Sequence, residues 1–160
     1  MNPSVEIDFE SHRFWMDQAI ALAKQAGSQG EIPVAAVIIG SDQKILATGE
    51  NRKERDRDPT AHAEILAIRN ATKVLKDWHL NQATLYVTLE PCPMCAGAII
   101  QARVKTLVYG ASDHKTGAIH TVLNLPHSSA SFHKLQAIAG IRELECQSLL
   151  QTWFQKRRQD

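Results

Sequence analysis

Two short segments of this 160-residue chain carry side chains that can do chemistry together: His62-Ala63-Glu64 and Pro91-Cys92-Pro93-Met94-Cys95. As one pattern they read H-x-E-x26-P-C-x-x-C. Taken singly, each piece is ordinary. A histidine near a helix start caps or packs. A glutamate there complements the helix dipole. A C-x-x-C pair serves redox chemistry or half of a structural zinc site. Together they form one ligand set. Thiolates three residues apart reach one ion from a single turn, and a helix N-terminus favours thiolate over thiol. One imidazole completes three donors, and soft sulfur with imidazole selects zinc. A structural site fills the fourth position with another Cys or His, whereas a catalytic site leaves it to water. Cys146 and the histidines at 79, 114, 120, 127 and 133 have no partner at ligand spacing.

Two thiolates cancel the formal charge of Zn2+, so its water needs a nearby base. Glu64, two positions after His62, is the candidate. It takes a proton to give zinc-bound hydroxide and then delivers that proton to the substrate. This combination suits hydrolytic removal of an amine from a ring carbon. Two other readings use the same residues: a non-catalytic zinc-binding module, and a dithiol redox protein working through Cys92 and Cys95.

The elements that must position these groups follow from apolar spacing. Phe14 to Ala26 repeats at three and four, which predicts a helix ended by Gly27. Val34 to Ile39 reads as a strand buried on both faces, joined through Gly40–Gln43 to a second strand over Lys44–Thr48. The charged stretch from Glu50 to Asp58 is a loop, and its mixed run from Arg52 reads either as a salt-bridged surface or as an RNA-facing rim. Pro59 suits the first turn of a helix that continues from Ala61 to Leu75. A strand over Thr84–Leu89 leads into a helix over Pro93–Ala102. Val104–Tyr109 is a further strand, closed by Gly110. An irregular stretch from Ala111 to about Phe132 precedes a strand over Lys134–Ala139 and a final helix from about Glu143. On that helix Cys146, Leu149, Leu150, Trp153 and Phe154 share a face, which puts Cys146 in the core. Trp15 and Met16 are also core positions. Strands alternating with helices imply an α/β domain with a mixed sheet covered on both faces.

Composition bounds the rest. The chain has 18 Lys+Arg against 17 Asp+Glu, 44% hydrophobic and 22% charged residues. These values exclude a disordered chain, a collagen-like one and a disulfide scaffold. The length predicts one domain over 1–160, burying roughly 70% of the unfolded surface. No apolar run approaches the ~20 residues of a membrane span. Met1–Glu10 holds three acids and no Lys or Arg, unlike a secretory signal. Three cysteines, an odd count, point to a cytoplasmic protein with metal-binding or reactive thiols. The net charge of +1 averages an acidic N-terminus and a basic tail at Lys156-Arg157-Arg158.

The catalytic pattern resembles that of the zinc-dependent nucleobase deaminases, and within them the bacterial tRNA-specific adenosine deaminases. The resemblance spans nearly the whole chain. Its most telling segments are Asn51 with Asp58–Ile65, Ala83–Cys92, and Met94–Ala98. Asp113, Lys115–Gly117, Phe154 and Arg157-Arg158 also match. It implies a three-layer α/β/α cytidine-deaminase-like fold with a mixed five-stranded sheet, a homodimer, and one Zn2+ per subunit. The implied reaction converts adenosine to inosine at the wobble position of a tRNA anticodon. His62, Cys92 and Cys95 would hold zinc, and Glu64 would shuttle the proton. Asn51 and the backbone of Ala63 would meet the flipped base. Asp113, Lys115, Phe154, Arg157 and Arg158 would lie along the anticodon arm. The alternative is a deaminase of a free nucleobase or nucleoside, guanine or cytosine. Without the resemblance, Asn51 and Asp113 read as turn residues and the basic tail as a solvated helix end. Ala35 stands where the family often has Gly, and Glu50 where Trp is common.

Overall fold

The structure, a computed structural model, describes residues 8–159. Most of the acidic segment at the N-terminus lies outside the described residues, as does Asp160. Strand β1 (Ala35–Ile39) is buried along its whole length, as an unbroken apolar run requires when both faces are covered. It pairs antiparallel with β2 (Ile45–Glu50) and with β3 (Thr84–Leu89). Beyond β3 lie β4 (Thr106–Ala111) and β5 (Gln136–Ile138), both added in parallel. The order β2-β1-β3-β4-β5 makes one mixed five-stranded sheet.

The side-chain alternation of the strands sorts the core into two layers. Ala36, Ile38, Leu85, Val87 and Leu107 pack against α2 (Ala63–Leu75) and α3 (Pro93–Gln101). Val37, Ile39, Tyr86 and Val108 pack against α1 (Phe9–Ser28) and α4 (Glu143–Arg158). The three-layer arrangement expected from the resemblance is present. Cys146 and Met16 are buried as expected, and Trp15 is half-buried against the second layer. No helix among the described residues is long and apolar enough to cross a membrane.

Several boundaries differ from the sequence reading, each for a local reason. Helix α1 starts at Phe9 because Asp8 Oδ1 accepts the Ser11 N–H at 3.1 Å and caps it there. It runs past Gly27 to Ser28. Helix α2 begins at Ala63, so Pro59 stands outside its first turn. Asp58 Oδ1 accepts the Thr60 N–H at 2.8 Å and the Thr60 hydroxyl at 2.7 Å, which forms a turn and leaves His62 as the N-cap. Strand β4 begins at Thr106, after Arg103 takes a left-handed φ of 58°. Gly110 lies inside that strand, packed under Cys146, and does not close it. The irregular stretch contains one 3-10 turn, Leu125–His127. The charged loop is salt-bridged: Arg52 pairs with Asp56 at 3.0 Å and Arg55 with Glu50 at 2.9 Å.

Candidate active site

His62 is the N-cap of α2 and Cys92 the N-cap of α3. Both backbones are extended there, with ψ of 153° and 173°; the His62 side chain makes no capping bond, and the Cys92 thiol turns toward Cys95 in the first turn of α3. Their donor atoms are therefore left to face each other. Pro93 starts α3 without needing an N–H partner, and Cys95 follows within the first turn. His62 Nδ1 lies 3.7 Å from Cys92 Sγ and 3.5 Å from Cys95 Sγ. All three ligand atoms fall within 4.8 Å of one another. Tetrahedral zinc with Zn–S of about 2.3 Å and Zn–N of about 2.0 Å requires N···S separations of about 3.6 Å. The donor set fits that ion.

The electrostatics favour a thiolate. The Cys92 thiol is pulled down to about 4, by its hydrogen bond with Cys95 first and then by His62. Cys95 is pushed up by the same bond and by burial. The His62 imidazole is raised by its bond to Cys92. Glu64, 4% exposed, sits in the first turn of α2 beside these groups. Burial pushes its carboxyl up, while its own N–H and the Cys95 thiol donate to it and oppose that shift.

A cleft of about 120 Å³ opens over these groups. It is lined by His62, Ala63, Glu64 and Cys92, and also by Asn51 and Asp113. Asn51, 8% exposed, donates from Nδ2 to Ile32 O at 3.3 Å and accepts the Lys53 N–H at Oδ1 at 3.2 Å. One donor and one acceptor position stay unused. Asp113 is a turn former as well as a lining residue. Its carboxylate accepts the N–H groups of Lys115 (2.9 Å) and Thr116 (3.2 Å).

Phe154 and Arg157 line a second groove, of about 550 Å³, which shares Ile32, Asn51 and Lys53 with the cleft. The C-terminal helix thus flanks the mouth of the site. The Arg157 guanidinium is partly committed: it donates to Gly30 O at 2.9 Å and lies 4.1 Å over the Trp153 ring. Lys115 and Arg158 are exposed and line neither space. Ala35 is buried in β1, where its N–H donates to Thr88 Oγ1 at 3.3 Å.

Three residues at the site escaped the sequence reading. Lys53 lines both spaces. Glu31 is fully buried and accepts the N–H groups of Glu54 (3.2 Å) and Arg55 (2.7 Å), which fixes the loop beyond Asn51. Glu90 is 2% exposed and lines the cleft. Burial raises its carboxyl, but hydrogen bonds from His120, Thr121 and Asp113 outweigh that and hold it below the usual range. The available signal was an acid next to Ile32-Pro33 and another next to Pro91, each in an apolar stretch where a carboxylate needs partners.

Comparison with known proteins agrees with this geometry. The sequence model of the MafB19-like deaminases matches residues 10–158. The chain is 47% identical to the tRNA-specific adenosine deaminase of Haemophilus influenzae, over 91% of this chain and 84% of that one. A solved tRNA:A34 deaminase, described as editing A to I at the wobble position, superposes with a TM-score of 0.83. It is 39% identical, over 86% of this chain and 99% of its own. Guanine deaminase from Bacillus subtilis superposes with a TM-score of 0.60 and 45% identity, over 63% of this chain and 64% of its own. By these matches, which take in His62, Cys92 and Cys95 and nearly the whole chain around them, the protein belongs to the deaminase family, on its tRNA-specific adenosine deaminase branch.

Proposed function

We propose that the chain hydrolyses adenosine to inosine and ammonia at the wobble position of a tRNA anticodon. The observation that carries this reading is the His62–Cys92–Cys95 triangle with the Glu64 carboxylate buried beside it. The triangle holds one zinc ion per subunit, and zinc there supplies the Lewis acidity that lets water act as a nucleophile near neutral pH. Glu64 accepts one proton from the attacking water and passes it to N1, then takes the second from the new C6 hydroxyl and gives it to the departing amine. Oxygen is added at C6, the C6–N bond breaks, and nitrogen leaves as ammonia. Asn51, through its spare donor and acceptor, and the N–H of Ala63 at the start of α2 hold the flipped base. Phe154 offers a stacking face, and Asp113, Lys115, Arg157 and Arg158 meet the anticodon arm. The enzyme acts as one deaminase domain, paired as a homodimer, in the cytoplasm where tRNA is matured.

The likeness to guanine deaminase supports a second reading, a free nucleobase such as guanine or cytosine as substrate. A free base has no use for the groove of Phe154 and Arg157, which favours RNA. Incubation with an anticodon stem-loop beside free bases separates the two. Inosine appears in the RNA, and Glu64→Ala lowers its formation by about 10²–10⁴-fold with zinc retained. Turnover of free guanine or cytosine without inosine selects the second reading.

A further inference from the structure

We infer that Glu90 is a positioning residue: its carboxylate clamps the 113–121 loop to the strand end that carries Cys92, and so sets the substrate wall of the cleft. The inference rests on the RNA-deaminase reading above. Glu90 lies between β3 and Pro91-Cys92 and is 2% exposed. Its Oε2 accepts the N–H groups of Ile119 (3.1 Å), His120 (2.9 Å) and Thr121 (3.1 Å). Its Oε1 accepts the N–H of Asp113 at 3.2 Å and the hydroxyl of Thr121. One carboxylate thus gathers both ends of one loop. The backbone adds to this stitch: Ala118 N–H donates to Pro91 O at 2.9 Å, and Glu90 N–H donates to Ala111 O at 2.8 Å. Gly117 makes the closure possible. A Cβ there would lie 2.5 Å from Glu90 Cδ and 2.5 Å from Asp113 O.

The loop matters because Asp113 and Thr116 line the cleft. The bonds of the Asp113 carboxylate all fall within its own turn, to Lys115 and Thr116. That turn is a unit whose placement comes from Glu90 and Pro91.

The two oxygens of Glu90 are not equivalent, and this gives the test. Oε2 faces three backbone N–H groups, none of which can accept a hydrogen bond. Oε1 faces one N–H and a hydroxyl that can rotate to accept. Glu90→Gln therefore turns its NH2 toward Oε1, keeps the three bonds of Oε2, and meets the Asp113 N–H donor to donor. The Asp113 end of the loop loosens selectively.

On a stem-loop substrate, Glu90→Gln raises KM about tenfold and leaves kcat within about twofold. Zinc per chain is unchanged, and amide exchange accelerates at residues 113–117 while 119–121 stay protected. Asp113→Ala added to Glu90→Gln brings no further rise in KM, because both act through the same wall. Should the Gln variant fail to fold, Thr121→Val removes one bond to Oε1, leaves every charge in place, and raises KM about threefold. Unchanged KM with lowered thermal stability would reduce Glu90 to a packing role and overturn the inference. Lost kcat together with lost zinc would assign it to the metal loop instead. If the wild-type chain makes no inosine, the RNA reading fails, yet the exchange pattern still decides whether the clamp exists.

Discussion

The two faces of the sheet both bury small side chains, Ala19, Ala23 and Ala26 of α1 included, but they differ in emphasis. On the α2/α3 face, small side chains bring backbone close to backbone: Ala67, Ala71 and Ala96 are fully buried, and Gly49 of β2 lies directly under α2. On the α1/α4 face, directed polar bonds at the periphery do more of the tying. Arg142 pairs with Asp17 at 3.0 Å, Trp153 Nε1 donates to Gly27 O at 3.2 Å, Arg157 donates to Gly30 O, and His12 meets Tyr86. The first face carries the reactive groups and the second carries Phe154 and the basic tail. Chemistry needs atoms held to fractions of an ångström, which close packing provides. A helix proposed to face RNA needs reach and charge, which solvated side chains provide. The first face should answer to volume and ligand changes, and the second to salt and pH.

The sharpest contrast is between two cysteines. Cys92→Ser should empty the metal site and lower deamination by about a thousandfold, since Lewis-acid assistance contributes several kcal/mol to the barrier. Cys146→Ser should leave zinc and turnover intact and cost about 1–3 kcal/mol of stability, from a hydroxyl in an apolar site. Metal analysis with a thermal melt on both variants checks this. Equal zinc loss in both would erase the distinction between the faces.

Gly49→Ala probes the packing itself. The added Cβ would lie 2.2 Å from Ala63 O and 2.6 Å from Ala67 N, both backbone atoms. Helix α2 must move away, at a cost of about 1–3 kcal/mol. Because Ala63 stands between His62 and Glu64, turnover per folded molecule should fall as well. A melt that drops with turnover unchanged would show that α2 shifts without disturbing its first turn.

The candidate set was legible in the sequence because a ligand pattern for zinc demands fixed residue types at fixed spacing. His62, Glu64, Cys92 and Cys95 converge as that pattern requires. Strands β1, β3 and β4 were legible because their buried runs are short and bounded. Glu31 and Glu90 were not, because their partners are backbone N–H groups 23 to 31 residues away, which carry no side-chain signature. The start of α1 was missed for a related reason. Apolar spacing begins only at Phe14, whereas the helix is set by the Asp8 cap and begins with exposed turns. Pro59 pointed to the first turn of a helix, and the Asp58 side chain diverted it into a separate turn.

The tail tests whether the second face meets RNA. Arg157→Ala and Arg158→Ala should each flatten the log–log salt dependence of stem-loop binding by about one unit for each phosphate left without its cation. Only Arg157→Ala should also lower the melting temperature, because it gives up the bond to Gly30 and the stack on Trp153. An unchanged slope in both variants would return the tail to a solvated helix end.

The smallest expected effect lies where α1 meets the sheet. His12 Nδ1 is 2.8 Å from the Tyr86 hydroxyl. Burial lowers the His12 pKa below 6.5, with Asp8 opposing part of the shift. Burial also pushes the Tyr86 hydroxyl up to about 12, so it stays neutral throughout. Since the folded chain holds a proton at His12 less readily than the unfolded chain, the unfolded state binds more protons between the two values. The contribution is complete above about pH 6.5 and is lost as pH falls through the folded value. Melting temperature should therefore decline on acidification from about pH 7.5 to about pH 5.5, and His12→Gln should flatten the decline. If the variant tracks the wild type, the acid sensitivity belongs to another group, and this part of the second face is tied by packing in the manner of the first.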